Sequence, residues 1–195
     1  LLSNLVIDVP VRGSVVLLVG EPGIGKTRLA EEIDSLARTH GAMVLWGRCY
    51  EGGSAPAFWP WVQVVRSYLR AQDREAIRSE SQIALADLTR PVPEIGGPAP
   101  LYAQDDVQAR FQLFDSISQL LVHGAGIQPI VLVLDDLHWA DTPSLLLLQY
   151  IAHELRTNPI LVVGTYRDVE VRTGDPLAKS VVELNRLQTC QTISL

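Results

Sequence analysis

Residues 20–27 read Gly20-Glu21-Pro22-Gly23-Ile24-Gly25-Lys26-Thr27, a complete G-x-x-x-x-G-K-[ST] spacing. Its chemistry is phosphate binding. Glycines let the backbone wrap closely enough for successive N–H groups to point at phosphate oxygens. A helix that starts at the end of such a loop adds its partial positive charge to the same spot. Lys26 is then expected to reach the β- and γ-phosphates, and the Thr27 hydroxyl to ligate Mg²⁺. Arg28 follows directly, so the candidate cofactor-binding run is Gly20, Glu21, Pro22, Gly23, Ile24, Gly25, Lys26, Thr27 and Arg28.

Two further segments carry chemistry. Ile130-Val131-Leu132-Val133-Leu134 is an apolar run ending in Asp135-Asp136, the Walker B pattern of acids at the carboxyl end of a buried strand. Asp at a strand end is also common turn or cap chemistry, and its pairing with a full phosphate loop favours the functional reading. Asp135 is expected to hold Mg²⁺ and Asp136 to orient or deprotonate the attacking water. Gly164-Thr165-Tyr166-Arg167-Asp168 closes a later apolar run. Arg167 is read as a γ-phosphate sensor, because a planar guanidinium bridges two phosphate oxygens. The competing reading is a surface arginine paired with Asp168 or Glu170. The candidate catalytic set is Asp136, Lys26 and Arg167, with Thr27 and Asp135 as metal ligands.

The elements that must position these groups alternate between strand and helix. Val15 to Val19 is a short β-branched run before the loop, and the following helix carries Leu29, Ile33, Leu36 and Ala37 on its apolar face. Gly41 reads as its stop, and residues 42–47 as a second strand. Phe58-Trp59-Pro60-Trp61 opens a helix to about Arg70. Residues 72–90 suit one or two short helices, and Pro91 to Pro100 a loop. Asp105-Asp106 read as the cap of a helix burying Val107, Phe111, Phe114, Ile117 and Leu121 and ending at Gly124 and Gly126. Ile130 to Leu134 and Ile160 to Val163 are the third and fourth strands. Between them, Asp141 and Thr142 cap a helix with Leu145 to Leu148, Ile151 and Leu155 inside. A helix over 176–187 and a strand near Thr192-Ile193-Ser194 complete the pattern. It predicts an α/β fold with a parallel, doubly covered sheet.

Composition narrows the function classes. The chain has 195 residues, 47% of them hydrophobic, which suits one α/β domain. A net charge of −6 argues against this segment holding nucleic acid by itself. Cys49 and Cys190 lie far apart, and neither they nor the histidines have metal-ligand spacing. No apolar run approaches the ~18 residues a membrane span requires, and no signal segment opens the chain. A reducing cytoplasm is the expected setting. The first residue is Leu1, so the chain is expected to be an excerpt from a longer protein. No Asn/Thr-Lys-x-Asp guanine motif and no Leu-Ser-Gly-Gly-Gln signature occur, so ATP or ADP is the expected nucleotide.

Taken together, G-E-P-G-I-G-K-T-R-L-A at 20–30, V-L-V-L-D-D-L-H-W-A-D at 131–141 and L-V-V-G-T-Y-R-D at 161–168 resemble the AAA-like ATPase core of the STAND signalling ATPases. The branch they resemble occurs in bacterial LuxR-type large transcriptional activators and beside class III adenylate cyclase domains. G-R-C-Y-E at 47–51 and F-W-P-W at 58–61 are similar to that branch as well. The resemblance implies a P-loop NTPase three-layer αβα sandwich with a five-stranded parallel sheet in the order 5-1-4-3-2. Residues 1–14 would be a lead-in and 15–195 the ATPase core, without the lid, winged-helix and effector domains of the family. It also implies an ATP/ADP switch: ADP holds a closed form, while ATP exchange and an inducer promote homo-oligomerisation. The competing function is an AAA+ motor that remodels a substrate. That reading wants a late arginine finger and a pore loop, and F-W-P-W makes a poor pore loop. A small-molecule kinase would need an Arg-rich lid that the sequence does not display.

Several residues are given ordinary roles. Trp46, Trp59, Trp61 and Trp139 are read as core or domain-contact residues. His138 is read as a hydrogen-bonded structural residue outside the catalytic set. Nothing in the spacing requires Arg48 or Arg110 to approach a neighbouring subunit's nucleotide.

Overall fold

A computed structural model describes residues 13–52, 55–71, 107–154, 157–172 and 174–195. Residues 1–12 of the lead-in, the short helices expected within 72–90, the Pro91–Pro100 loop, the Asp105-Asp106 cap and Leu155 lie outside the described residues.

Five strands form one sheet in the order β2-β3-β4-β1-β5. They are β1 (Ser14–Val19), β2 (Met43–Arg48), β3 (Ile130–Asp135), β4 (Ile160–Tyr166) and β5 (Cys190–Ser194). Read from the other edge, this is the expected order 5-1-4-3-2. Every pairing is parallel. Their carboxyl ends therefore gather along one edge of the sheet, where ligands of open α/β sheets bind. Every residue of β3 and β4 is buried, as expected of strands covered on both faces.

The two faces differ. Helix α1 (Lys26–Thr39) covers one, closing Ala30, Ile33 and Ala37 over Val16, Leu18, Val131, Val133, Leu161 and Val163. Leu29 and Leu36 pack only at its margin, so the buried stripe uses smaller residues than the leucines suggest. The other face carries α2 (Trp59–Ala71), α3 (Val107–Ile127), α4 (Thr142–Glu154) and α5 (Pro176–Asn185). Their apolar sides merge into one larger core around Trp61, Leu121, Leu132, Leu147 and Val162. Gly47 permits the close approach of α2, since a Cβ there would collide with the carbonyl oxygen of Pro60.

Helix α3 departs from expectation in two ways. Val107 and Phe111 are 54% and 56% exposed, whereas Phe114, Ile117 and Leu121 are buried. Phe111 stands one turn before the exposed Asp115, at the margin of the stripe that buries Leu113, Phe114, Ile117 and Leu121. The helix also continues through Gly124 and Gly126 to Ile127. Gly124 is a packing residue, because a Cβ there would lie 2.5 Å from the Tyr68 ring. Asp141 caps α4 as expected, its carboxylate accepting from the Ser144 N–H at 2.8 Å. Thr142 is the first residue inside that helix. Among the described residues, no helix is long and apolar enough to cross a membrane.

Candidate functional site

The phosphate-loop motif forms the turn between β1 and α1. Gly23 and Gly25 adopt φ of +79° and +109°, and a Cβ on either would meet nothing within 4 Å. Their requirement is thus conformational rather than steric. Gly25 stands at the helix start in a left-handed conformation with no side-chain cap. The first helical bond runs from Leu29 N to Gly25 O, so the N–H groups of Lys26, Thr27 and Arg28 precede it. Arg28 joins the loop through its backbone alone, because its guanidinium turns along the helix to Glu32 at 2.5 Å.

Lys26 is only 6% exposed. Two of its three N–H groups donate to loop carbonyls, to Gly20 O and Glu21 O, both at 2.8 Å. An ammonium buried against neutral carbonyls, inside a ring of glycines, suits an anion. Thr27 donates its hydroxyl to Asp135 at 3.2 Å, bringing the two expected metal ligands together from opposite ends of the sequence. A hydroxyl beside a carboxylate is the hard-oxygen donor pair that Mg²⁺ favours.

The carboxyl end of β3 is held by a residue the sequence reading did not single out. Thr165 is fully buried in β4. Its hydroxyl donates to Asp135 Oδ1 at 2.6 Å and accepts from the Asp136 N–H at 2.9 Å, so one side chain fixes both acids. A threonine ending a run of Ile, Leu and Val was the available signal, since a buried hydroxyl must find partners. Asp136 turns the chain away from the strand at φ +60°, a region that Asp tolerates better than most residues. Its side chain thereby diverges from Asp135 and stays 35% exposed at the rim. The acids also bear on Cys49, whose thiol is pushed up to about 12, first by burial and then by Asp141, Asp136 and Asp135.

Arg167 follows β4 at the same edge. Its Nη1 donates to Glu170 Oε1 at 2.7 Å across a short 3₁₀ turn, Asp168–Glu170. This is the pairing that competed with the sensor reading. The hydrogen bond to Glu170 is the largest influence holding the guanidinium's pKa above its usual value, with Asp136 and Glu51 adding to it. His138 lies between Asp136 and Glu170 with a side chain only 1% exposed. The tryptophans take packing roles. Trp61 is buried and donates to Ser144 O at 3.0 Å, and Trp46 donates to Asp34 at 3.1 Å. Arg48 stacks over Trp46 at 5.2 Å. Among the described residues, no cluster of three or more His, Cys, Asp or Glu is arranged to hold a metal by itself.

Solved structures similar to the chain include Drosophila ORC bound to AT-rich DNA, 13% identical over 98% of this chain and 50% of that one, with a TM-score of 0.49. Another is C. elegans PCH-2, 16% identical over 92% of this chain and 35% of that one, with a TM-score of 0.40. An uncharacterized protein of Rhizobium meliloti (strain 1021) is 26% identical over 171 residues, 80% of this chain. The chain spans only 16% of that curated relative's length. A family model described as the AAA ATPase domain matches residues 2–163, most of the chain, and the chain belongs to that family.

Proposed function

We propose that this chain is the ATP-binding, Mg²⁺-dependent core of a nucleotide-controlled switch in a signalling or transcription-regulating protein, of the kind the STAND ATPases represent. Gly20 to Arg28 cradle the phosphates, and Lys26 exchanges its loop carbonyls for phosphate oxygens. Thr27 and Asp135 hold Mg²⁺, which when bound offsets phosphate charge. Asp136 accepts the proton of the water that attacks the γ-phosphorus, and Arg167 reads the γ-phosphate. Hydrolysis yields ADP and phosphate and is slow. Lid and effector domains of the same polypeptide, and an ATP-dependent homo-oligomer, are the expected partners.

The observation that carries this reading is the contact of Thr27 with Asp135 beneath a glycine loop containing a buried lysine. Arg167 supports the switch over the motor, because a phosphate would compete with Glu170 for its guanidinium. Lys26→Ala tests the assignment. A charge-assisted hydrogen bond contributes about 1.5–3 kcal/mol, so the variant is expected to bind ATP roughly tenfold to a hundredfold more weakly by calorimetry. Equal affinity in variant and parent would remove the loop from the site.

A further inference from the structure

His138 is the least satisfied polar side chain beside the candidate site. Its ring is buried, and neither nitrogen makes a hydrogen bond among the described residues. Nε2 nevertheless faces two carboxylates, Glu170 Oε2 at 3.4 Å and Asp136 Oδ1 at 3.7 Å. Burial is the largest influence on the ring and, together with the cations of Arg167 and Lys26, lowers its pKa against the opposite pull of Asp136 and Glu170. The imidazole is therefore neutral at pH 7, with one N–H to give. With two acceptors on the Nε2 side, the tautomer protonated at Nε2 is the favourable one.

The partner of Glu170 gives that N–H a use. Oε1 of Glu170 accepts from Arg167, while Oε2 faces the imidazole. If Arg167 moves to a phosphate, Glu170 is left as a bare carboxylate in the neighbourhood of Asp136, a like charge. A donor already within a few tenths of an ångström of bonding distance removes much of that penalty.

We propose that His138 is a positioning residue that captures Glu170 when Arg167 releases it, and so sets how readily Arg167 responds to a γ-phosphate. The inference rests on the reading of Arg167 as the sensor. It makes the 3₁₀ turn Asp168–Glu170 a two-position element: Glu170 on Arg167 without ATP, and Glu170 on His138 with it. A buried donor left without an ideal partner in one state is what such an element requires, because the same N–H must be available in the other.

The test compares Mg-ATP and Mg-ADP affinities by calorimetry for the parent, His138→Phe, His138→Gln and Arg167→Ala, and for Glu170→Ala with and without His138→Phe. Phe keeps a ring and loses the donor, and is expected to lower the ATP-to-ADP affinity ratio about tenfold. Gln places an amide donor near the Nε2 position and is expected to restore most of the ratio. In a Glu170→Ala background, His138→Phe should have no further effect, since the group it captures is gone. A ratio unchanged by His138→Phe but collapsed by Arg167→Ala overturns this inference alone. A ratio unchanged by both overturns the sensor reading beneath it. A readout without nucleotide guards against a misfolded Phe variant: in Arg167→Ala, the His138 Nε2–H proton resonance should become protected and shift downfield as Glu170 turns to it. A resonance identical to the parent's contradicts the proposal.

Discussion

Two cations stand at the carboxyl edge of the same sheet and are held in opposite ways. Lys26 is buried and rests on neutral carbonyls of its own loop, whereas Arg167 is partly exposed and rests on the carboxylate of Glu170. A phosphate competes with weak acceptors for the first and with a full negative charge for the second. Lys26 is thus poised to accept any nucleotide phosphate, and Arg167 only one that outcompetes Glu170. In the proposed switch, unconditional binding and conditional discrimination would fall to separate residues, because an equilibrium moves only by the difference in affinity between states.

The comparison breaks first at the acids if it is wrong. Asp136→Asn is expected to keep Mg-ATP binding and lose hydrolysis by about 10²–10⁴-fold in single-turnover assays, the range for a lost general base. Parental hydrolysis in that variant would remove Asp136 from the chemistry. Asp135→Asn should act on binding instead. It weakens the Mg²⁺-dependent part of ATP affinity by roughly tenfold to a hundredfold, measured as the difference between titrations with Mg²⁺ and with EDTA. Glu170→Ala sharpens the contrast between the cations. Freed of its partner, Arg167 should raise ATP affinity several-fold and leave ADP affinity near the parent's. An equal gain for both nucleotides would mean that Arg167 does not distinguish them.

The smallest expected effect is on stability against pH. Burial lowers the pKa of His138 from the usual 6.5, so the unfolded chain binds more protons than the folded one between the lowered value and 6.5. The contribution is fully present above pH 6.5 and is lost as pH falls toward the folded value. Thermal unfolding at pH 7.5 and 5.5 should therefore show a larger drop for the parent than for His138→Gln. Equal drops would place the histidine in solvent.

How much of this was legible in the sequence depended on distance along the chain. The glycine loop and the acids after β3 are contiguous motifs, each bounded by apolar runs, and both were readable together with the five strands. Alternation of strand and helix gave the parallel sheet. The order of strands followed from the resemblance and agrees with the observed pairing. Thr165 was not read as a site residue because its partners, Asp135 and Asp136, lie about thirty positions earlier, and only pairing of β3 with β4 brings them together. The capture geometry of His138 was hidden for the same reason, since Glu170 reaches it across a turn. For Arg167, local spacing permits both a phosphate and a neighbouring carboxylate, and the structure pairs it with Glu170. Helix α3 showed the limit of periodicity. An apolar residue near a stripe need not belong to it, and Phe111 lies at the margin of the buried face, one turn before the exposed Asp115.

The central claim is that Arg167, unlike Lys26, distinguishes ATP from ADP. Calorimetric titration of Arg167→Ala with Mg-ATP and Mg-ADP, beside the parent chain, tests it most directly. ATP affinity is expected to fall about tenfold or more while ADP affinity is unchanged, the loss of one charge-assisted contact that ADP never makes. Equal losses for the two nucleotides, or none for either, would contradict it.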